Sequence, residues 1–332
     1  MRDRCTGGPY TAAVAPIEGD IVALSDGSIW IVKGCIHPPE GVVAIPRFVG
    51  GRRVKRAGES LAITRRFYRH YIRFVKEIGC EVPVLPWVDV KLYVSAYDRT
   101  LSIIRKAERG PEHVRRAVEL IRLLKDACGL TCWLTGSALG LYPSSSRSPD
   151  VDLLCFDSAD ALSCLKRLRA EGLLRNLTPK SFLNEAFSVG EILHPNLLTL
   201  LATRRVTQGV FKGVKYTLRL VNCRRVERAS GPYEITLLLN GTAILLRSGD
   251  YRFPAIYEAE LLHPMAGVRK ALLLTHRVRL TELPAGTVVL GTAVLHLKLG
   301  RGRYWVINFD LPPARIDALV LGQQLSSNQP VV

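Results

Sequence analysis

The chain has 332 residues, enough for two or three domains, and 48% of them are hydrophobic, which excludes wholesale disorder. No apolar run reaches the roughly 18–20 residues that a membrane span needs, and the opening stretch MRDRCTGGPYTAAVAPIEGD lacks the apolar core and cleavage site of a signal peptide, so a cytoplasmic protein without a membrane partner is expected. Its net charge of +17, from 46 Lys and Arg against 29 Asp and Glu, favours nucleic acid, nucleotides or anionic surfaces as partners.

The first hundred residues read as mixed. GDIVALSDGSIWIVKGCIH carries two β-type runs joined at Asp26-Gly27, a hairpin signal, and PPEGVVAIPRFV adds another strand. In LAITRRFYRHYIRFVKEIG the period changes: Phe67, Tyr71, Phe74, Val75 and Ile78 recur at helical spacing, and Gly79 ends the pattern. Arg66, Arg69, Arg73 and Lys76 recur on the other side of that expected helix. Such a stripe is either a nucleic-acid-binding track or a solvated face.

From 101 to 228 helix and strand alternate. GPEHVRRAVELIRLLKDACGL is a predicted helix with Pro111 near its start and Val114, Val118, Ile121 and Leu124 on its apolar face. TCWLTGS and DVDLLCF are short strands, SADALSCLKRLRAEGLL is a helix capped by Ser158, and VTQGVFKGVKYTLRLVN is a hairpin with Lys212-Gly213 at its tip. From 229 to 332 the chain is β-rich, with turns read at Asn240-Gly241 and Gly300-Arg301-Gly302, and a barrel or sandwich is the expected packing. The eight cysteines are scattered; Cys128 and Cys132, with no second Cys/His pair nearby, do not make a zinc site. Buried thiols are expected, Cys132 and Cys155 behaving as small hydrophobes within apolar runs, with a structural disulfide the alternative for a chain of hyperthermophile origin.

The chemistry concentrates in LTGSALGLYPSSSRSPDVDLLCF, residues 134 to 156. On a strand, Asp150 and Asp152 share one face while Val151 and Leu153 pack on the other. Two adjacent carboxylates repel, and a divalent cation such as Mg2+, completed by water and substrate phosphates, removes that cost. Upstream, Gly136 lets backbone approach a phosphate and Ser137 adds a hydroxyl. Against this stands the bland reading, in which Ser-Pro-Asp is a turn and Asp152 an exposed strand end.

A strand ending in Thr135-Gly136-Ser137, the spacer ALGLYPSSSRSP, and then Asp150-Val151-Asp152-Leu153-Leu154 resembles the DNA polymerase β superfamily of nucleotidyltransferases. The motif covers roughly residues 112 to 222. Lys33-Gly34-Cys35-Ile36-His37-Pro38-Pro39 is similar to an element of predicted archaeal nucleotidyltransferases. The resemblance implies an α+β chain: a polymerase-β-like α/β core at 101–228, a mixed N-terminal segment at 1–100, and a β-rich C-terminal domain at 229–332. It implies Mg2+ on Asp150 and Asp152, and an NTP held by Gly136 and Ser137. Arg147, Arg204, Arg205, Lys212 and Lys215 are further candidates for its phosphates. The implied reaction transfers an NMP to a hydroxyl acceptor, with RNA favoured by the charge. In that superfamily a third carboxylate sits on a later strand. Here KYTLRLV offers Thr217 and Arg219 instead, and the nearest alternatives are Glu191, Glu227 and Glu234. The competing expectation is a nucleic-acid-binding protein without catalysis.

Overall fold

The computed structural model describes residues 15–54, 57–76, 78, 80–140, 150–156, 160–183, 195–221, 223, 233–250, 252–265, 267–277, 280–299, 303–309 and 314–321. Contacts divide the chain into two units, the second starting at Ile103 and also taking Lys76–Gly79.

In the first unit, the apolar alternation on either side of Asp26-Gly27 forms strands β1 (Ile21–Leu24) and β2 (Ile29–Val32). Asp26 closes their turn by accepting the Ser28 N–H at 2.8 Å and hydroxyl at 2.6 Å, and Gly27 takes the left-handed conformation at φ +80°. There follow β3 (Gly41–Val49), β4 (Arg52–Arg53), α1 (Ala57–Phe67), β5 (Ile72–Val75), β6 (Cys80–Pro86), β7 (Val90–Val94) and α2 (Ala96–Lys106). The strands run in the order β5-β6-β3-β2-β1-β7, with β4 beside β3. Val22, Trp30, Val32, Val42, Ala44, Tyr71 and Leu85 form the core.

The single long helix expected from Leu61 to Gly79 is not formed. Helix α1 stops at Phe67, a 3-10 turn spans Arg69–Tyr71, and the chain then enters β5. Tyr71, Ile72, Phe74 and Val75 suit a strand as well as a helix face, and pairing with β6 (Ile72 opposite Pro83, Val75 opposite Cys80) decides between them. The Lys33–Pro39 element is held by packing bonds. Buried Glu18 takes the Lys33 ammonium and the Gly34 N–H, both at 2.7 Å, while His37 accepts from Val43 N–H and donates to the Pro16 carbonyl. That pattern fixes a neutral imidazole, and burial pushes its pKa down to about 4. Asp20 is also buried; it accepts from Ile17, Ala96 and Tyr93, yet burial still raises its pKa to about 6.

The second unit begins with α3 (Glu112–Cys128), β8 (Thr131–Thr135), β9 (Val151–Phe156), α4 (Ala161–Ala170), α5 (Pro195–Arg204), β10 (Gln208–Phe211) and β11 (Val214–Val221). The four strands form one sheet, β10-β11-β9-β8, in which β9 and β11 run parallel and the other pairs antiparallel. The expected buried thiols are instead disulfides: Cys132–Cys155 joins β8 to β9 and Cys128–Cys164 joins α3 to α4. Facing strands and packed helices bring each pair within bonding reach, a proximity that spacing along the sequence does not show.

The chain ends in β12 (Tyr233–Asp250), β13 (Ala255–Met265), β14 (Val268–Thr275), β15 (Thr287–Leu299), β16 (Arg303–Asn308) and β17 (Arg315–Leu321). Asn240-Gly241, expected as a turn, is a bulge inside β12, where Gly241 sits at φ +59° and the register against β15 shifts. The continuous strand thereby reaches both β13 and β15 and closes a five-stranded barrel, β12-β13-β14-β16-β15, back to β12. In chain order this is first, second, third, fifth, fourth, with only the third–fifth pair parallel, the connectivity of OB-type barrels. One core joins sheet and barrel: Leu177, Phe182, Leu201 and Ala202 pack with Leu239, Tyr257, Leu273, Leu295 and Phe309.

These features overturn the expected α+β chain built on a polymerase-β-like α/β core. With 48% strand and 29% helix, a closed barrel and several antiparallel sheets, the protein is mostly β. The misleading signal was local. One helix–strand–helix stretch carried the reading, while part of an expected helix and an expected turn both proved to be strand. The expected boundary near residue 228 lies outside the described residues.

Two measurements check this account. His37 and His296 are both held near pKa 4 by burial, so the stability tied to them is full above their unfolded value of about 6.5 and is lost as pH falls towards 4. Asp20, raised to about 6, works in the opposite direction: its contribution weakens as pH rises from about 4 to 6. The urea midpoint should therefore fall between pH 6.5 and 4.5, more steeply in Asp20→Asn and less steeply in His296→Gln. For the disulfides, loops of 36 and 23 residues correspond to about 3–4 kcal/mol each in the chain-entropy account, and denaturation of Cys128→Ala/Cys164→Ala should show a loss of that order.

Candidate functional site

In the four-stranded sheet, β9 is flanked on both sides, and its register fixes which residues meet. Asp152 lies opposite Thr135 on β8 and opposite Thr217 on β11, and Thr217 lies opposite Gln208 on β10. A polar row, Thr135–Asp152–Thr217–Gln208, therefore crosses the whole sheet on one face. The opposite face is apolar: Cys132, Leu134, Val151, Leu153, Cys155, Tyr216 and Leu218 are all buried. Helix α3 packs against β8.

Because Thr135 pairs with Asp152, the Gly136–Ser137 turn that follows Thr135 emerges at the sheet end where β9 begins. The motif's two halves are thus brought to one place. Gly136 adopts φ +64°, a conformation that carries a steric cost for any residue with a Cβ, and the 3-10 turn Gly136–Leu139 closes with the Gly140 N–H on the Ser137 carbonyl at 3.0 Å. Asp150 is exposed just ahead of β9, and Asp152 is half-buried within it.

Lys215 precedes Thr217 by two residues on β11 and so shares the polar face; among the described residues it forms no ion pair. Lys212, at the tip of the β10–β11 hairpin, is drawn instead to Glu119 on α3, at 2.7 Å. The hydrogen bond from Lys212 and the one from Arg116 keep the Glu119 carboxyl below its ordinary pKa. Arg147, Glu191 and Glu227 lie outside the described residues, and Glu234 is an exposed residue of β12 in the barrel. Of the basic stripe, Arg66, Arg69 and Arg73 belong to the first unit and Lys76 to the second.

Behind the row sits a buried arginine. Arg205, only 2% exposed, donates to the Gln208 side-chain oxygen at 2.9 Å and to the Thr281 carbonyl at 2.7 Å. With its oxygen so engaged, the Gln208 amide presents its NH2 to the Thr217 hydroxyl at 3.3 Å. The Thr217 oxygen accepts, and its O–H is left as a donor on the row it shares with Asp152. Gln208 escaped sequence reading, and the row that joins it to Thr135, Asp152 and Thr217 is set by pairing, although the alternation Lys215, Thr217, Arg219 against Tyr216, Leu218, Leu220 already separates the two faces of β11.

The donors at this place are carboxylate and hydroxyl oxygens, hard ligands that suit Mg2+ when substrate phosphates and water complete its shell. Among the described residues no group of three or more His, Cys, Asp and Glu is poised to hold a metal by itself. Also among these residues, no helix is long and apolar enough to cross a membrane. Comparison with protein-family models, with curated proteins and with solved structures gives no match.

Gly136→Ala places a Cβ at a left-handed position and should lower stability by about 1–2 kcal/mol, read from urea unfolding, with Gly136→Asn losing less.

Proposed function

We propose that the chain is a Mg2+-dependent nucleotidyltransferase, transferring an NMP from an NTP to a hydroxyl acceptor, with RNA as the favoured acceptor class. The observation that carries this reading is the pairing of Thr135 with Asp152, which sets a Gly-Ser turn beside Asp150 and Asp152. Likeness of that motif to the polymerase β superfamily supports it further. In this reading Gly136 N–H and the Ser137 hydroxyl contact phosphate oxygens, Lys215 offsets their charge, and Asp150 and Asp152 hold the cation. Bound there, Mg2+ would offset the negative charge that builds on the phosphates. The acceptor oxygen bonds to the α-phosphorus, the α–β bridging P–O bond breaks, and pyrophosphate carries away the electron pair. The hydroxyl proton passes to solvent, because the neighbour of Asp152 on β11 is Thr217 and not a third carboxylate.

Thr217 is also the specific observation that favours a second reading, a nucleic-acid-binding protein that binds nucleotide without transferring it. The experiment separates the two. Wild type should bind a fluorescent NTP only with Mg2+ and should incorporate α-labelled NTP into RNA. Asp152→Asn should lower incorporation by about two orders of magnitude or more. Lys215→Ala should weaken NTP binding about tenfold, while Lys212→Ala leaves it unchanged. Binding without incorporation would select the second reading, and no Mg2+-dependent binding at all would sink the first.

A further inference from the structure

Residues 65–76, RRFYRHYIRFVK, contain five Arg and Lys and no acid. The fold breaks this run into the end of α1, a 3-10 turn and β5, so its side chains are set out along a folded ribbon. Tyr71 and Val75 are buried and hold the ribbon to the unit. Beneath it Tyr68 stacks on Tyr71 at 6.1 Å and meets the edge of Trp30 at 5.1 Å, and the Tyr68 hydroxyl donates to Asp26 at 2.7 Å. Left outside are Arg65, Arg66, Arg69 and Arg73 together with two phenyl rings, Phe67 at 59% and Phe74 at 66% exposure. The Arg66 guanidinium lies over the Phe67 ring at 5.1 Å. Glu81 faces Phe74 across the ladder to β6. On the free side of β5 the sheet ends.

Among the described residues none of these four arginines makes an ion pair. The barrel differs. At the shallow concavity bordered by Arg247, Glu260, Lys270 and Tyr304, the arginines are engaged, Arg247 and Arg269 both being bound to Glu260. Cations left unpaired beside exposed rings are the combination that a single-stranded nucleic acid recognises, phosphates meeting the arginines and bases stacking on the rings. A lipid surface asks for something else, a continuous apolar face to insert. Here Tyr71, between the two rings, turns inward, and the rings stand apart, Phe67 beside Arg66 and Phe74 opposite Glu81.

We propose that this ribbon is a binding track for single-stranded nucleic acid, with Phe67 and Phe74 as base-stacking platforms and Arg65, Arg66, Arg69 and Arg73 as phosphate contacts. The track stands without the transfer reading.

The test uses the full chain without NTP or Mg2+, and fluorescence anisotropy of labelled twelve-residue oligouridylate, oligodeoxythymidylate and a duplex of equal length. Single strands should bind more tightly than duplex. For three or four phosphate contacts, log K should fall with log salt at a slope of about −2 to −3. Phe67→Ala and Phe74→Ala should each weaken binding roughly 5- to 150-fold with that slope kept, while Arg69→Gln/Arg73→Gln should flatten it by about 1.4. All four positions are exposed, so unchanged thermal melting confirms that the variants fold. Preference between the two oligomers tells whether RNA or DNA is the ligand. Asp152→Asn should bind as wild type does, which keeps this result apart from failure of the transfer reading. Equal affinity of wild type and variants, or of duplex and single strand, would overturn the proposal. So would capture by anionic phosphatidylserine vesicles with no oligonucleotide binding.

Discussion

A slip of one residue between β8 and β9 would turn Asp152 onto the apolar face and bring Val151 or Leu153 to the polar one, because side chains alternate along a strand. The candidate site depends on that register. Hydrogen bonds alone specify it weakly, but Cys132–Cys155 lies on the same strand pair, three residues from Thr135 and Asp152. A covalent bond between facing residues leaves a single alignment, and the apolar residues beside it reinforce the same choice. Two cysteines outside the polar row thus hold its geometry.

The row reaches beyond its own sheet through Gln208. Arg205 fixes that amide, and Arg205 also binds Thr281 in the connection between β14 and β15. One residue further on, Glu282 accepts the N–H groups of Val206 and Thr207, both at 2.9 Å. The start of β10 is therefore tied to the barrel twice, by the Arg205 guanidinium on the Thr281 carbonyl and by the Glu282 carboxylate on two backbone N–H groups. Arg169 adds a bond from α4 to the Gln208 carbonyl at 3.0 Å. Removing one of these groups would leave others buried without partners, and that penalty gives such networks their rigidity.

Much of the site was legible because its signals are local. Alternation in DVDLLCF and KYTLRLV assigns each residue to a face, and Gly136 and Ser137 follow an apolar strand. Pairing is another matter. Nothing in the sequence states that Asp152 meets Thr217, that Cys128 reaches Cys164, or that Lys212 prefers Glu119 to the polar face. The errors of fold have the same origin. Tyr71 and Val75 are four residues apart and fit a helix stripe, yet in the folded chain they are the buried residues of a turn and an edge strand. Asn240-Gly241 has turn chemistry, but partners on both sides keep the strand going through it. In each case contacts distant in sequence outweighed a local preference.

The core shared by sheet and barrel has a consequence for dissecting the protein. A fragment ending after β11 would leave Leu177, Phe182, Leu201 and Ala202 facing water and would free the buried guanidinium of Arg205 from Thr281. The smallest piece expected to fold around Asp152 therefore includes the barrel. A change deep in the barrel, such as at Leu239 or Phe309, can be felt at the polar row without touching it, and variants of the two parts should be read as changes to one body.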